Sequence, residues 1–222
     1  MTSEIQSAII DRITHSDRAG ALQLIDQWLA EHDYEKLLIE ILGPVLTSVG
    51  EMWQGEEFSL AHAYVAAKIV EDALERYEAL SGKSEQPRYA HGPVVVGNIE
   101  DDCHPLGRRM VSTFLRAQGW EVVDLGIDVE PELFVDKAED IGAKVIGVSA
   151  MIYSTAENII RVREELERRG LARGVRLAVG GAVFRLRPEL VEEVGGDGTV
   201  PDALDAHKLF CRLWEDAEKA DE

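Results

Sequence analysis

Residues 93–107 read PVVVGNIEDDCHPLG and decide how the second half of the chain is interpreted. The stretch begins with β-branched residues, continues as an acidic loop that holds Asp102 and His104, and reaches Gly107 where amphipathic residues begin. This order predicts a buried strand, a loop and the start of a helix. An imidazole in such a loop can bind a transition metal, and a nearby carboxylate can accept its other ring N–H. Gly107 would let the backbone approach a bulky ligand closely.

From residue 92 onward, short apolar runs alternate with amphipathic stretches, which predicts a parallel sheet covered by helices on both faces. We predict strands at 93–98, 121–125, 144–149, 175–179 and 198–200, and helices at 106–118, 131–141, 156–169, 188–194 and 203–217. The fold class is α/β, with a flavodoxin-like (Rossmann-like), doubly wound sheet of five parallel strands. Ligands of such sheets bind at the carboxyl ends of the strands, so one rim should collect the loops that begin near Asn98, Leu125, Ser149 and Gly180.

Between residues 3 and 80, apolar residues recur at helical spacing and predict an N-terminal four-helix-type bundle. Pro44 falls inside the third helical pattern and should kink or divide that helix. The candidate N-caps of the second, third and fourth helices are Ser16 or Asp17, Asp33 and Ser59.

The stretch 81–88 combines turn-forming residues with charge and interrupts every periodicity. We therefore predict a helical domain at 1–83, a linker at 84–91 and a Rossmann-like domain at 92–222.

The chain carries 42 acidic and 23 basic residues, a formal net charge of -19. This charge repels phosphate backbones and anionic lipids, so we expect no direct binding to nucleic acid or membrane. Two cysteines, Cys103 and Cys211, are too few for a disulfide framework, and the N-terminus lacks the pattern of a signal peptide. No apolar run is long enough to span a bilayer. We expect a soluble, cytoplasmic protein.

The loop from Asp102 to Gly107 has the pattern Asp-x-His-x-x-Gly and resembles the vitamin B12-binding domain of corrinoid proteins and cobalamin-dependent methyltransferases. Two further signatures of that family occur in the same order: a Ser-x-Leu type segment at Ser149-Ala150-Met151 and a Gly-Gly pair at Gly180-Gly181. The resemblance extends over essentially the whole second domain. It implies that His104 is the lower axial ligand of cobalt and that Asp102 is its hydrogen-bond partner.

The resemblance also implies further cofactor contacts. The hydroxyl of Thr155 would complete a proton relay with Asp102, and small residues would line a slot for the displaced nucleotide tail. The remaining predicted contacts are Ser149, Gly180 and Gly181 in the slot, Thr199 and Asp202 in the segment that closes over it, and Met151 and Tyr153 beside it. Met151 stands where leucine is usual, Tyr153 where a small or hydroxyl residue is common, Asp101 where glycine is usual and Pro105 where an acidic residue is common. None of these departures removes a group that ligation needs.

Residues 49–62, VGEMWQGEEFSLAH, resemble the helical cap that precedes the B12 domain in the same proteins. There the cap covers the upper face of the corrin and shields a reactive alkyl group from water. Trp53, Phe58 and Leu60 are the residues we predict to face the cofactor. An ordinary place in the core of the bundle is the alternative for Trp53 and Phe58.

The leading hypothesis is a cobalamin-binding methyl carrier, with methylcobalamin as the bound form. Its partners would be a methyl-donor methyltransferase and a methyl-acceptor protein or tetrahydropterin enzyme, and the chain would not be catalytic alone. One alternative is a cobalamin-dependent sensor or regulator. A light-responsive form of it is disfavoured, because Ala63-Tyr64 stand where related photoreceptors have a Glu-His pair. Another is a haem protein of the same architecture. The oligomeric state is left open.

Overall fold

The structure, a computed structural model, describes residues 2–33, 36–55, 57–81 and 91–221. The chain divides into two compact units, Met1–Gln86 and Pro87–Glu222. Within the described ranges, no helix combines the length and the hydropathy that a membrane span requires.

The N-terminal unit is helical. Its core is formed by apolar residues that recur every three or four positions, such as Ile9 and Ile13, which are fully buried. Its elements are α1 (Thr2–Thr14), α2 (Arg18–Leu29), a π-helical segment (Leu37–Leu42), α3 (Gly43–Gln54) and α4 (Leu60–Ser81).

Two local signals in this unit act as the sequence predicts. Asp17 caps α2, since its carboxylate accepts the backbone N–H of Gly20 at 2.9 Å. The third helical pattern changes from a π-helical to an α-helical path immediately before Pro44, which has no N–H to donate to the carbonyl of Glu40. That carbonyl instead accepts the side-chain amide of Gln6 at 2.6 Å. A side chain of α1 thus donates to the carbonyl that Pro44 cannot pair with.

The second unit alternates strands and helices. The elements are β1 (His91–Asn98), α5 (Leu106–Ala117), β2 (Trp120–Asp124), α6 (Pro131–Ile141), β3 (Val145–Ser149), α7 (Tyr153–Ala156), α8 (Ile159–Arg168), β4 (Arg176–Gly180), α9 (Ala182–Leu186), α10 (Leu190–Glu193), a 3-10 turn (Ala203–Asp205) and α11 (Ala206–Asp221).

The four strands form a parallel sheet in the order β2-β1-β3-β4. In this register Asn98 lies opposite Ser149, and Ser149 lies opposite Gly180. The carboxyl ends of three neighbouring strands therefore align at one edge of the sheet.

Both faces of the sheet are buried, as a doubly wound fold requires. Along β1, Val95 packs into the core beneath α6 and α8, whereas Val94 and Val96 pack into the core beneath α5 and α11. The alternation of side chains along a strand explains how one β-branched run fills both layers.

The α/β fold class is confirmed, but the predicted fifth strand at 198–200 is reduced to one parallel bridge between Ala178 and Gly198. The N–H of Leu177 on the outer edge of β4 is taken by the carboxylate of Asp197 at 2.6 Å, instead of by a strand carbonyl. Pro201, which has no N–H, follows shortly after.

One predicted helix is divided, and another is shorter and is preceded by a helix that the sequence did not predict. The helix predicted at 156–169 consists of α7 and α8, and the one predicted at 188–194 is the shorter α10 with α9 before it.

Candidate functional site

The loop after β1 is held in one conformation by backbone contacts. Asp101 has a left-handed φ of 67°, its N–H donates to the carboxylate of Asp128 at 2.8 Å, and the Asp128 N–H donates to the carbonyl of Asp102 at 3.2 Å. Aspartate tolerates the left-handed region better than most residues, and glycine tolerates it best. The departure at position 101 therefore keeps the backbone path that a glycine would allow.

This loop brings together Asp102 and His104, as the sequence predicts. Asp102 is almost fully buried, and its Oδ1 accepts the backbone N–H of His104 at 2.8 Å and lies 3.1 Å from His104 Nδ1. The His104 side chain is 59% exposed. With the Nδ1 proton held by Asp102, Nε2 is the ring nitrogen whose lone pair is available to a metal.

The other carboxylate oxygen of Asp102 connects this loop to the one after β3. Asp102 Oδ2 accepts the backbone N–H of Met151. Met151 follows the end of β3 by two residues, so the connection crosses the edge of the sheet between β1 and β3. A crevice between such diverging loops is where open α/β sheets bind their ligands.

A polar network behind Asp102 was not predicted from the sequence. The side-chain amide of Asn98 donates to Asp102 Oδ1 at 3.3 Å and to the carbonyl of His104 at 3.0 Å. Arg108 Nε donates to Asn98 Oδ1 at 2.8 Å, and Arg108 also pairs with Asp124. Asn98 is fully buried and Arg108 nearly so. An amide at the end of an otherwise apolar strand is the one signal that could have revealed the network.

The three predicted glycines differ in whether the surrounding protein leaves room for a side chain. A Cβ on Gly107 or on Gly180 would meet no protein atom within 4 Å. A Cβ on Gly181 would lie 2.0 Å from the carbonyl oxygen of Ala150, at a φ of +116°. Gly181 is therefore required by the protein backbone itself, whereas Gly107 and Gly180 border open space that a large cofactor can fill.

Ser149 and Thr155 both follow the apolar run of β3, and the hydroxyl of Thr155 bonds within its own turn. Ser149 is the last residue of β3, and the buried hydroxyl of Thr155 donates to the carbonyl of Ile152 at 3.0 Å. In the described part of the chain, no hydrogen bond joins Thr155 to Asp102. The relay remains a prediction.

The other predicted contacts lie in the segments that follow β3 and β4. Tyr153 begins α7, is 42% exposed, and has the guanidinium of Arg187 4.8 Å from its ring centre. Thr199 and Asp202 are half-buried in the segment after the Gly198 bridge.

In the N-terminal unit, Phe58 is buried and its ring centre lies 4.7 Å from that of His62. Trp53 belongs to α3 and Leu60 begins α4, and the side chains of both lie outside the described part of the structure. A role in covering a cofactor stays a prediction for all three.

Two family models, both described as a B12 binding domain, match the chain at residues 92–207 and at residues 5–78. The first match covers over half of the chain and includes the Asp102–His104 loop and the glycine pair. Together with the fold and the geometry of that loop, it defines the class: a cobalamin-binding protein.

Curated relatives extend this class to a family. Trimethylamine corrinoid protein 1 of Methanosarcina acetivorans is 30% identical over 195 residues, which cover 87% of this chain and 89% of the relative. A corrinoid protein of Desulfitobacterium hafniense is 32% identical over 168 residues, covering 74% and 76% of the two chains. The chain belongs to the B12-binding corrinoid protein family.

Solved structures agree with the fold. The monomethylamine corrinoid protein of Methanosarcina barkeri matches with a TM-score of 0.77 and 25% identity, over 96% of this chain and 100% of that one. A cobalamin-binding protein from Desulfitobacterium hafniense shares the fold, with a TM-score of 0.54 and 22% identity, over 94% of this chain and 98% of that one. The predicted family and the predicted cofactor, cobalamin with its cobalt, are confirmed.

Proposed function

We propose that the protein is a corrinoid methyl carrier in which His104 is the lower axial ligand of cobalt. The observation that carries this proposal is the pairing of an exposed imidazole with a buried carboxylate: His104 Nδ1 lies 3.1 Å from Asp102, and Nε2 is left for a metal. When bound, cobalamin supplies a cobalt centre that can hold and release a methyl group. Asp102 fixes the orientation and tautomer of the imidazole beneath it.

The open space beside Gly107 and Gly180 supports the fit of a bulky cofactor at this rim. In this proposal the corrin lies above His104, and the nucleotide tail enters the crevice between the loops after β3 and β4. Ser149, Met151, Tyr153, Thr199 and Asp202 are its proposed neighbours.

Partner enzymes are proposed to activate the methyl donor and the acceptor, because both matched segments of this chain are B12-binding domains. Relatives are named for trimethylamine and dimethylamine, so a methyltransferase that acts on a methylated amine is the donor enzyme to test first. The helical segment 1–83 is proposed as the cap domain, 84–91 as a linker and 92–222 as the cobalamin domain. The scarcity of cysteine supports a cytoplasmic location.

The decisive experiment compares the wild type with His104→Ala after loading with methylcobalamin. The wild type should show the absorption spectrum of cobalamin with an imidazole below the cobalt, and the variant the spectrum without it. In the cobalt(II) state, labelling histidine with nitrogen-15 should change the nitrogen hyperfine pattern of the wild type alone. His15→Ala, an exposed histidine of the N-terminal unit, is the matched control. Identical spectra for wild type and His104→Ala would exclude this ligand.

Methyl transfer itself is tested with the donor and acceptor enzymes present. The carrier proposal requires that loaded protein lose its methyl group to an acceptor enzyme and regain it from a donor enzyme over many cycles. If the protein instead takes up adenosylcobalamin and changes its assembly state in light, the sensor alternative replaces the carrier.

A further inference from the structure

A second cluster of metal-ligating side chains lies near the amino-terminal end of β1, whereas the His104 loop follows its carboxyl-terminal end. His91 begins β1, and His207 and Cys211 lie on α11. One potential ligand atom from each of the three lies within 4.8 Å of the others. His91 and Asn98 stand at the two ends of β1, a separation of about 23 Å along a strand. The cluster is therefore distinct from the loop that carries His104.

The distances in this cluster suit a zinc ion. Cys211 Sγ lies 3.8 Å from Nδ1 and 3.7 Å from Nε2 of His207. Zinc binds sulfur at about 2.3 Å and nitrogen at about 2.0–2.1 Å, which at a tetrahedral angle places the two ligand atoms about 3.6 Å apart. To bind the ion, His91 has to approach further, and the His207 ring has to turn, because its two nitrogens are almost equally far from the sulfur.

The spacing along α11 supports the same interpretation. His207 and Cys211 are four residues apart, so both side chains lie on one face of the helix. Helices that supply two metal ligands use this spacing. His91 approaches that face from the sheet, and all three residues are half-buried.

Trp120 holds the two imidazoles in place. Its ring stacks on that of His91, with centres 4.6 Å apart and an angle of 21° between the planes, and its indole N–H donates to His207 Nδ1 at 2.9 Å. Without metal, the indole N–H thus occupies the lone pair of Nδ1. A metal bound at that nitrogen takes the place of this hydrogen bond.

The electrostatic surroundings act in opposite directions on the two ligands of α11, favouring the metal-binding form of His207 and disfavouring that of Cys211. Burial and the neighbouring His91 lower the pKa of His207, which favours the neutral imidazole that binds metals. Burial and Glu215 raise the pKa of the Cys211 thiol, so without metal the sulfur keeps its proton. Ligation releases that proton to solvent as the sulfur–metal bond forms.

We propose that His91, His207 and Cys211 bind one zinc ion, with water as the fourth ligand. The ion would join α11, the last helix described, to the first residue of the sheet. This inference does not depend on the proposed function, since no group of the cluster belongs to the corrinoid loop.

The test uses the full chain loaded with cobalamin, stripped of other metals by a chelator and dialysed against buffered zinc. Zinc and cobalt are then measured in the same sample by atomic spectrometry. The wild type should hold one zinc per chain, and Cys211→Ser or His207→Gln should weaken zinc binding at least about 100-fold. Cys103→Ser, which removes the exposed cysteine, is the matched control and should bind zinc like the wild type.

Two further measurements distinguish loss of a metal ligand from a general effect of the substitution on folding. Each variant should take up cobalamin like the wild type, which shows that its corrinoid site is intact. In chain prepared without cobalamin, cobalt(II) in place of zinc should give a thiolate-to-metal charge-transfer band that Cys211→Ser lacks. If the wild type takes up no zinc, or if Cys211→Ser binds it equally tightly, the site does not exist. Should one of these variants fail to fold, His91→Gln and the wild-type cobalt(II) band decide the question.

Discussion

Asp102 accepts the backbone N–H of Met151, and this hydrogen bond fastens the loop after β1 to the loop after β3. After β1 the chain continues into α5 on one face of the sheet, and after β3 it continues into α7 and α8 on the other. The two loops therefore diverge, and Asp102 spans the crevice between them. The residue that orients His104 thus also helps to hold the two loops together.

Replacing Asp102 by asparagine should weaken the attachment of His104 to cobalt. Several N–H groups donate to the Asp102 carboxylate, and the NH₂ group of an asparagine would face one of these donors. The substitution also removes the negative charge that stabilises the imidazole as a ligand. We expect the apparent affinity of His104 for cobalt to fall by about 10- to 100-fold, measured as the histidine-bound fraction in absorption titrations.

Asp101→Asn is the matched control for this change. Asp101 is exposed, and asparagine tolerates its left-handed φ of 67°. The absorption spectrum of the Asp101→Asn variant loaded with cobalamin should equal that of the wild type. Equal effects of the two substitutions would show that loop charge in general, and not the buried carboxylate, controls ligation.

Substitutions at the adjacent Gly180 and Gly181 should affect different properties, cobalamin affinity at the first and stability at the second. Gly181→Ala places a Cβ against the Ala150 carbonyl at a positive φ, so we expect the free energy of unfolding to fall by about 1–3 kcal/mol or more without any cofactor. Gly180→Leu adds a side chain whose Cβ meets no protein atom within 4 Å, so stability should change much less than in Gly181→Ala, while cobalamin affinity falls by at least about tenfold.

Urea unfolding of the cofactor-free chain and equilibrium binding of cobalamin measure the two effects separately. A Gly180→Leu variant that binds cobalamin like the wild type would show that the cofactor does not occupy the space beside this residue.

The sequence predicts the sheet well because its strands are short β-branched runs buried on both faces. The predicted ends of β1 and β3 at Asn98 and Ser149 are confirmed, and these ends position the loop that carries His104. The fifth strand is the exception, because a side-chain contact of Asp197 replaces a ladder bond and no local pattern reveals it.

Parts of the site that depend on distant contacts could not be predicted. Asn98, Arg108 and Asp124 each resemble an ordinary polar residue, and only the packing of α5 against β1 and β2 brings them together. The histidine–cysteine cluster is of the same kind, since His91 and His207 come from opposite ends of the second unit.

The network behind Asp102 should contribute to stability through Arg108. This side chain is 9% exposed and connects the Asn98 amide to the Asp124 carboxylate, so Arg108→Met leaves both groups short of a partner. We expect a loss of about 2–3 kcal/mol in the free energy of unfolding, measured by urea unfolding. Arg116→Met, on the exposed side of the same helix, should cost much less. Equal losses of unfolding free energy in the two variants would mean that any arginine-to-methionine change in α5 is destabilising, and that the network has no special contribution.

The ion pairs of Glu165 with Arg168 and Arg169 at the end of α8 should make stability depend on pH. Glu165 is 8% exposed and accepts hydrogen bonds from Arg168 Nε and Arg169 Nε, both at 2.6 Å, and Arg169 also pairs with Asp136 of α6. The hydrogen bonds from Arg168 and then Arg169 lower the pKa of Glu165 from 4.5 to about 2. Because the folded state lowers this pKa, the stabilisation is complete above pH 4.5 and is lost as the pH falls towards about 2.

Glu165→Gln should therefore unfold at lower urea concentration than the wild type at pH 7, and the two midpoints should converge as the pH falls from 4.5 towards 2. The neutral amide cannot form the charged pairs at any pH, whereas the wild type loses them only when its carboxylate is protonated. Glu164→Gln changes the adjacent exposed carboxylate and should show no such convergence. A difference between wild type and Glu165→Gln that stays constant with pH would mean that the shape of the side chain, and not its charge, stabilises the end of α8.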